Sequence, residues 1–257
     1  MDTPFRLSEM TWEDIEHVLK VSNPVIILPV GSTEQHGRHL PLGTDSFAAV
    51  DLAEAAGKKI ERAITAPPVF YGMSSHHMAL PGTISIRPEV LVEFTYDVVA
   101  SLAEHGFNRF ILLNGHRVAN LPWMQLVCER IHRKLNGCRA VLFDPAYMSR
   151  EVVDQLNLGV IGHGEEIETS HMLTVLPALC RMDRVEDHPA PETPLFSVDP
   201  RCTNDSLVYI PTPPGEAAKT VGKTGGVTGR PSRADARKGS IYRKHLLGRL
   251  AEVIEQM

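Results

Sequence analysis

The strongest limit on the fold is a regular alternation of short apolar runs with longer segments of helical spacing. Val25-Ile26-Ile27-Leu28-Pro29-Val30 is a short run rich in β-branched residues and predicts a first strand. Asp45 and Ser46 are placed to cap a helix running through FAAVDLAEAAGKKI to about Ile60. A second strand is expected around Ile64 to Phe70. Pro88 suits the first turn of a helix ending near His105, where Gly106 is a C-terminal stop. Arg109 to Leu113 predicts a third strand. A helix follows from about Leu121 to Leu135, ended by Asn136-Gly137, and a fourth strand falls at Ala140 to Phe143. Pro189 to about Pro214 is rich in Pro, Asp and Thr and reads as loop, and Ser232 to Gln256 reads as a helix. Strand and helix in alternation call for an α/β fold, a mostly parallel sheet with helices on both faces. With no internal repeat and no sharp change of composition, the 257 residues are expected to form a single domain.

Composition narrows the partners. Hydrophobic content of 43% and charged content of 22% are those of a soluble globular protein. A net charge of −5 and a pI near 6.2 give no basic footprint for nucleic acid. No apolar run approaches the roughly 20 residues needed to span a bilayer. The first residues, MDTPFRLSEMTWEDIEHVLK, are acidic and polar, unlike a secretory signal. Cys128, Cys138, Cys180 and Cys202 are scattered without a CxxC pair, which fits a reducing cytoplasm.

Open parallel sheets bind ligands beyond the carboxyl ends of their strands. Residues that do chemistry should therefore follow the apolar runs directly. After the first run come Glu34, His36, His39 and Asp45, carboxylates and imidazoles of the kind zinc and manganese favour, on a loop shaped by Gly31, Gly37, Gly43, Pro29 and Pro41. Taken alone, a Glu-x-His pair is usually a polar surface turn. After the third run comes Asn114-Gly115-His116, which puts a second ligand-type residue at the same sheet edge. A third cluster runs from Gly162 through His163, Glu165, Glu166 and Glu168 to His171. The helix dipole accounts for one or two of its glutamates, but not for the glycine-flanked His163. Gly222-Lys223-Thr224 lacks the upstream glycine of a phosphate-binding loop, since Ala217 stands there. Neither a dinucleotide fingerprint nor a serine-nucleophile elbow is present.

Together these segments resemble the creatininase family of metal-dependent amidohydrolases. LPVGSTEQHGRHLPLGTD is similar to the family's first motif, NGH to its second and HGEEIETS to its third; YGMSSHHMALPGTISI and GVTGRPSRADARKGS are similar to two further family segments. The resemblance implies a three-layer α/β/α domain, two divalent ions (zinc or manganese), a small-molecule substrate and a homo-oligomer, often a hexamer. It also implies that Glu34 and His36 each hold one metal, that Asp45 bridges both, that His116 completes one shell and that His163 moves protons. His77 and His39 become candidates for substrate contact or for support of the metal ligands, and Tyr147 for the substrate lining.

The second motif departs from the family. Arg117-Val118-Ala119 separates His116 from Asn120, and no carboxylate follows where creatininase has a glutamate ligand. Glu166 is expected to fill that place, with Glu168 as an alternative or supporting ligand. Arg117 is expected to bind a substrate carboxylate or an anionic intermediate, or else to cap the adjoining helix. The expected reaction is opening of a cyclic amide, or cleavage of a non-peptide C–N amide bond, by activated water. The alternatives are hydrolytic C–C cleavage of a cyclic ketone of the oxidised-inositol type, and a non-catalytic relative that only binds metal.

Overall fold

The computed structural model describes residues 4–189, 219 and 221–257. Its centre is a four-stranded, all-parallel sheet of β1 (Val25–Val30), β2 (Ala63–Thr65), β3 (Arg109–Asn114) and β4 (Arg139–Phe143), in the order β2-β1-β3-β4. The register pairs Ile27 with Thr65 on one side and with Ile111 on the other, and Ile111 with Val141. The chain leaves β1 towards β2, then returns across the sheet to add β3 on the other side of β1. The order reverses between β1 and β3, so a crevice opens beyond their carboxyl ends.

Strand side chains alternate between faces, and each face has its own core. Ile26, Leu28, Phe110 and Leu112 pack under α3 (Pro88–Glu104) and α4 (Leu121–Lys134), against Leu91, Val99, Trp123, Met124 and Val127. Val18 and Leu19 of α1 (Trp12–Val21) join that layer. Val25, Ile27, Ile111 and Leu113 pack on the opposite face under α2 (Thr44–Gly57) and α8 (Ala236–Gln256), against Leu52, Tyr242, Leu246, Leu250 and Ile254. Each buried Ile or Leu contributes roughly 1.5–3 kcal/mol, so the strands are held from both sides. The result is a three-layer α/β/α fold. Between β4 and α8 lie the short helices α5 (Pro145–Met148) and α6 (Arg150–Gln155), and then α7 (Glu166–Val175). Among the described residues no helix is long and apolar enough to cross a membrane.

Several boundaries differ from the sequence expectation for local reasons. β2 stops at Thr65 because Pro67 and Pro68 supply no N–H to the ladder. Val69 returns to the sheet only as a single bridge to Val30. Asp45 lies in the first turn of α2, whose N-cap is Gly43, and the helix ends at Gly57 rather than near Ile60. The last helix starts at Ala236 instead of Ser232. A 3-10 turn over Pro231–Arg233 precedes it, and the Asp235 side chain caps it by accepting from Lys238 N. α1 begins with a capping box in which Thr11 and Asp14 satisfy each other's backbone N–H. The loop expected from Pro189 to Pro214 lies, beyond Pro189, outside the described residues.

Candidate metal centre

Beyond β1 the backbone is pinned before any side chain is placed. Glu34 N donates to Leu42 O at 2.9 Å, and Ile84 N to Thr33 O at 2.9 Å. Gly115, at the end of β3, lies so close to the first turn of α2 that a Cβ there would sit 2.0 Å from Asp45 O. That close approach brings His116 against the Asp45 carboxylate.

The carboxylate of Asp45 stands between two imidazoles. Its Oδ1 is 3.0 Å from His36 Nε2, and its Oδ2 is 3.0 Å from His116 Nδ1. Glu34 closes one side, with Oε2 at 3.3 Å from His116 Nε2 and Oε1 at 3.5 Å from His77 Nε2 and 3.6 Å from His163 Nδ1. Ser32 Oγ orients Glu34 by donating to Oε2 at 3.0 Å. Glu168 closes the other side, its Oε2 at 3.6 Å from His36 Nε2 and held by Gly164 N at 2.7 Å. All of these groups except His77 and Glu168 are at least nine-tenths buried.

Electrostatics show what the cluster lacks. Burial pushes the Glu34 carboxyl up to about 7, against the pull of His116 and His36. At His36 burial opposes a charge, yet Asp45, Glu168 and Glu34 outweigh it and raise the imidazole to about 10. His116 is likewise raised to about 9, its burial overcome by Glu34 and Asp45. Burial also disfavours a charged Asp45, but the two imidazoles hold its carboxyl well below the usual range. His163 goes the other way, lowered to about 3 by burial and by His36. Protons on His36 and His116 thus stand where cations would be favoured. Glu34 Oε1, Asp45 Oδ2 and His116 Nε2 are buried without an aligned hydrogen bond, although all three face ionisable partners at ion-pair distance. Ligand atoms of Glu34, His36 and Asp45 lie within 4.8 Å of one another, as do those of His36, His163 and Glu168. A buried set of imidazoles and carboxylates with inward-facing, unmatched atoms fits a divalent ion.

Glu34, His36, Asp45, His77, His116, His163 and Glu168 are therefore brought together. Glu166 is not. Its carboxylate turns to Lys238 Nζ at 2.7 Å, Gly159 N at 3.2 Å and Arg233 Nε at 3.5 Å, bracing α8 on α7. Nor does Arg117 present a free guanidinium to a substrate. It is buried and pairs with Glu165 and, at 2.6 Å, with Glu168. It does not cap α4 either, which Asn120 precedes with no side-chain cap bond. His39 braces the loop on α7, its Nε2 bonding Thr169 Oγ1 at 3.0 Å, and burial lowers it to about 4. Tyr147 is exposed on α5, beside Arg150.

Three residues at the site have no role in the sequence-based expectation, although Glu165 lies in its third cluster. His76 stacks on His116, with ring centroids 5.8 Å apart. Glu165 caps α7 and takes Arg117. Asp144 directly follows β4, so the strand-end rule already pointed to it. Its buried carboxylate accepts from Asn114 Nδ2 at 2.8 Å, Val118 N at 3.0 Å and Ala146 N at 2.8 Å. That hub fixes the loop carrying His116 and Arg117, in which Val118 adopts φ 62°. A β-branched residue there costs on the order of 1–3 kcal/mol and persists only where the surroundings enforce it.

Residues 8–254 match the sequence profile of the creatininase family, described as creatinine amidohydrolase. The chain belongs to the creatininase family. A creatinine amidohydrolase of Pseudomonas putida is 30% identical over 216 residues, covering 77% of this chain and 83% of that protein. A 3-dehydro-scyllo-inosose hydrolase of Thermotoga maritima is 25% identical over 273 residues, covering 96% of this chain and 82% of that protein. Among solved structures, a crystal structure of creatinine amidohydrolase (creatininase) superposes with a TM-score of 0.79 at 25% identity, covering 98% of this chain and 97% of that one. Solved creatininases include a manganese form and a Zn-Zn form of a mutant. Membership of the creatininase family makes this chain a metal-dependent hydrolase.

Proposed function

We propose that this chain uses two divalent ions, zinc or manganese, to hydrolyse a cyclic amide or another non-peptide C–N amide bond of a small molecule. The observation that carries the reading is Asp45, whose two oxygens face two different imidazoles, with Glu34 and Glu168 closing opposite sides. In this reading Glu34 and His116 would hold one ion, His36 and Glu168 the other, and Asp45 both. Ions bound there would supply Lewis acidity and a water whose pKa falls to roughly neutral.

Tautomers decide which imidazoles suit which task. His36 Nδ1 lies 3.1 Å from the Glu34 carbonyl, which can only accept. Nδ1 therefore carries a proton, and Nε2 keeps the lone pair a ligand needs. At His77 the outcome is reversed. Gly37 N donates to Gln35 Oε1, and Gln35 Nε2 donates to Gly226 O, so the amide orientation is fixed. Gln35 Nε2 then donates to His77 Nδ1 at 3.0 Å, which leaves the proton on Nε2 facing Glu34. His77 is thus a hydrogen-bond donor to a substrate or to Glu34, and not a ligand.

His163 donates Nε2–H to the Gln35 carbonyl, so its lone pair on Nδ1 faces the cluster. That nitrogen takes a proton from the attacking water and returns it to the leaving amine. His76 lies half-buried beside His116.

The two cores share one sheet, which supports one domain over 1–257. Exposed Phe70, Tyr71, Met78 and Phe94 support a homo-oligomer. A second reading, hydrolytic C–C cleavage of a cyclic ketone, is favoured by the likeness to the inosose hydrolase along 96% of this chain. Metal-loaded protein assayed against cyclic amides and cyclic diketones separates the two: turnover of diketones alone would overturn the amide reading.

A further inference from the structure

Arg117 is a buried cation placed among the residues assigned above to hold a cation. Its guanidinium contacts two carboxylates, those of Glu165 and Glu168. Glu168 divides its oxygens between two environments. Oε1 goes to Arg117 at 2.6 Å, while Oε2 takes Gly164 N at 2.7 Å and faces His36 Nε2 at 3.6 Å. The loop that carries Arg117 is fixed by hydrogen bonds of Asp144 and Asn114 to Val118 N and His116 O.

We propose that Arg117 is a positioning residue that acts as a resident counter-ion of the metal cradle and competes with the ion on the His36 side for Glu168. The inference rests on the metal-site reading of the preceding subsection. The buried carboxylates of Glu34, Asp45 and Glu165 and the partly buried Glu168 converge on this region, and among the described residues Arg117 is the permanent cation that pairs with Glu165 and Glu168. In metal-free protein its single charge offsets one of the two that Glu165 and Glu168 would carry and helps α7 dock without an ion. When an ion arrives, the same charge repels it, and Arg117 keeps Glu168 Oε1, so Glu168 offers only Oε2. The two effects are one linkage: what stabilises the metal-free state more than the loaded state weakens binding. The ion on the His36 side is therefore the more weakly held and more exchangeable of the two.

The test compares wild type, Arg117→Gln and Arg117→Lys by calorimetric titration of metal-free protein with Zn2+ or Mn2+, and by melting temperature with and without metal. Arg117→Gln removes the charge but keeps an N–H donor. It is expected to bind the weaker ion about tenfold or more tightly than wild type does, as follows from removing a unit charge beside a divalent ion. It should also lose more melting temperature metal-free than metal-loaded. Arg117→Lys retains the charge and should stay close to the wild-type affinity. If the metal-free Gln variant does not fold, chelator competition on metal-loaded protein gives the same affinity. Unchanged or weaker binding in Arg117→Gln, or equal losses of melting temperature in both states, would overturn the proposal. A wild-type protein that binds no divalent ion would instead overturn the metal-site reading itself.

Discussion

Replacing Asp144 with alanine tests whether the loop carrying His116 is held as described. The Asp144 carboxylate accepts three hydrogen bonds, two of them from the buried donors Asn114 Nδ2 and Ala146 N and one from Val118 N in the strained loop. A buried donor left unsatisfied costs about 1–3 kcal/mol, and loss of an N-cap about 1 kcal/mol. Against this stands the cost of burying the charge, visible as an Asp144 carboxyl pushed up by desolvation. The net expectation for Asp144→Ala is a loss of about 3 kcal/mol. Asp144→Asn should lose about half as much, because its one oxygen can still serve Asn114 and Val118 while its amide faces Ala146 N. Urea unfolding of metal-free protein measures both, with the midpoint falling and the slope unchanged. Because the same hub positions His116, metal affinity should fall with stability. An Asp144→Ala protein within about 0.5 kcal/mol of wild type, the range of ordinary surface changes, would refute the reasoning.

Glu168→Gln should lose one bound ion per chain, whereas Glu166→Gln should keep the full complement and lose only stability; elemental analysis after dialysis distinguishes them. His163→Asn should retain its metals and lose about 10²–10⁴-fold in turnover, the range for a proton-transfer residue, and near-normal turnover would remove His163 from that role. Stability of the metal-free protein should fall as the pH rises from 7 towards 10. His36 and His116 have folded pKa values of about 10 and about 9, above their ordinary 6.5. Their contribution is therefore fully present below 6.5 and is lost as the pH climbs through those values. Melting temperatures across that window check the sign, and a rise with pH would contradict it.

The fold was legible because hydrophobic period and turn residues are local signals, and every strand of the sheet was anticipated near its place. The boundaries that slipped depend on local chemistry that a pattern search weighs poorly: the missing donors of Pro67 and Pro68, and the 3-10 turn at Pro231. The strand-end rule reached Glu34, His36, Asp45 and His116, yet the same rule was not carried to Asp144 after β4. Glu166 and Glu168 show a firmer limit. Two residues apart on a helix they face opposite ways, so one can join the cluster while the other meets Lys238 and Arg233, and spacing alone does not say which. Arg117 is similar, because its partners lie far along the chain, at Glu165 and Glu168, and only the docking of α7 against the β3 loop brings them near.

The central claim is that Asp45 joins two ions, one shared with Glu34 and His116 and the other with His36 and Glu168. An anomalous difference map from crystals of zinc-loaded protein tests it directly. The account predicts two peaks flanking the Asp45 carboxylate, within ligand distance of those four side chains. A single peak away from Asp45, or none after metal loading, would contradict it.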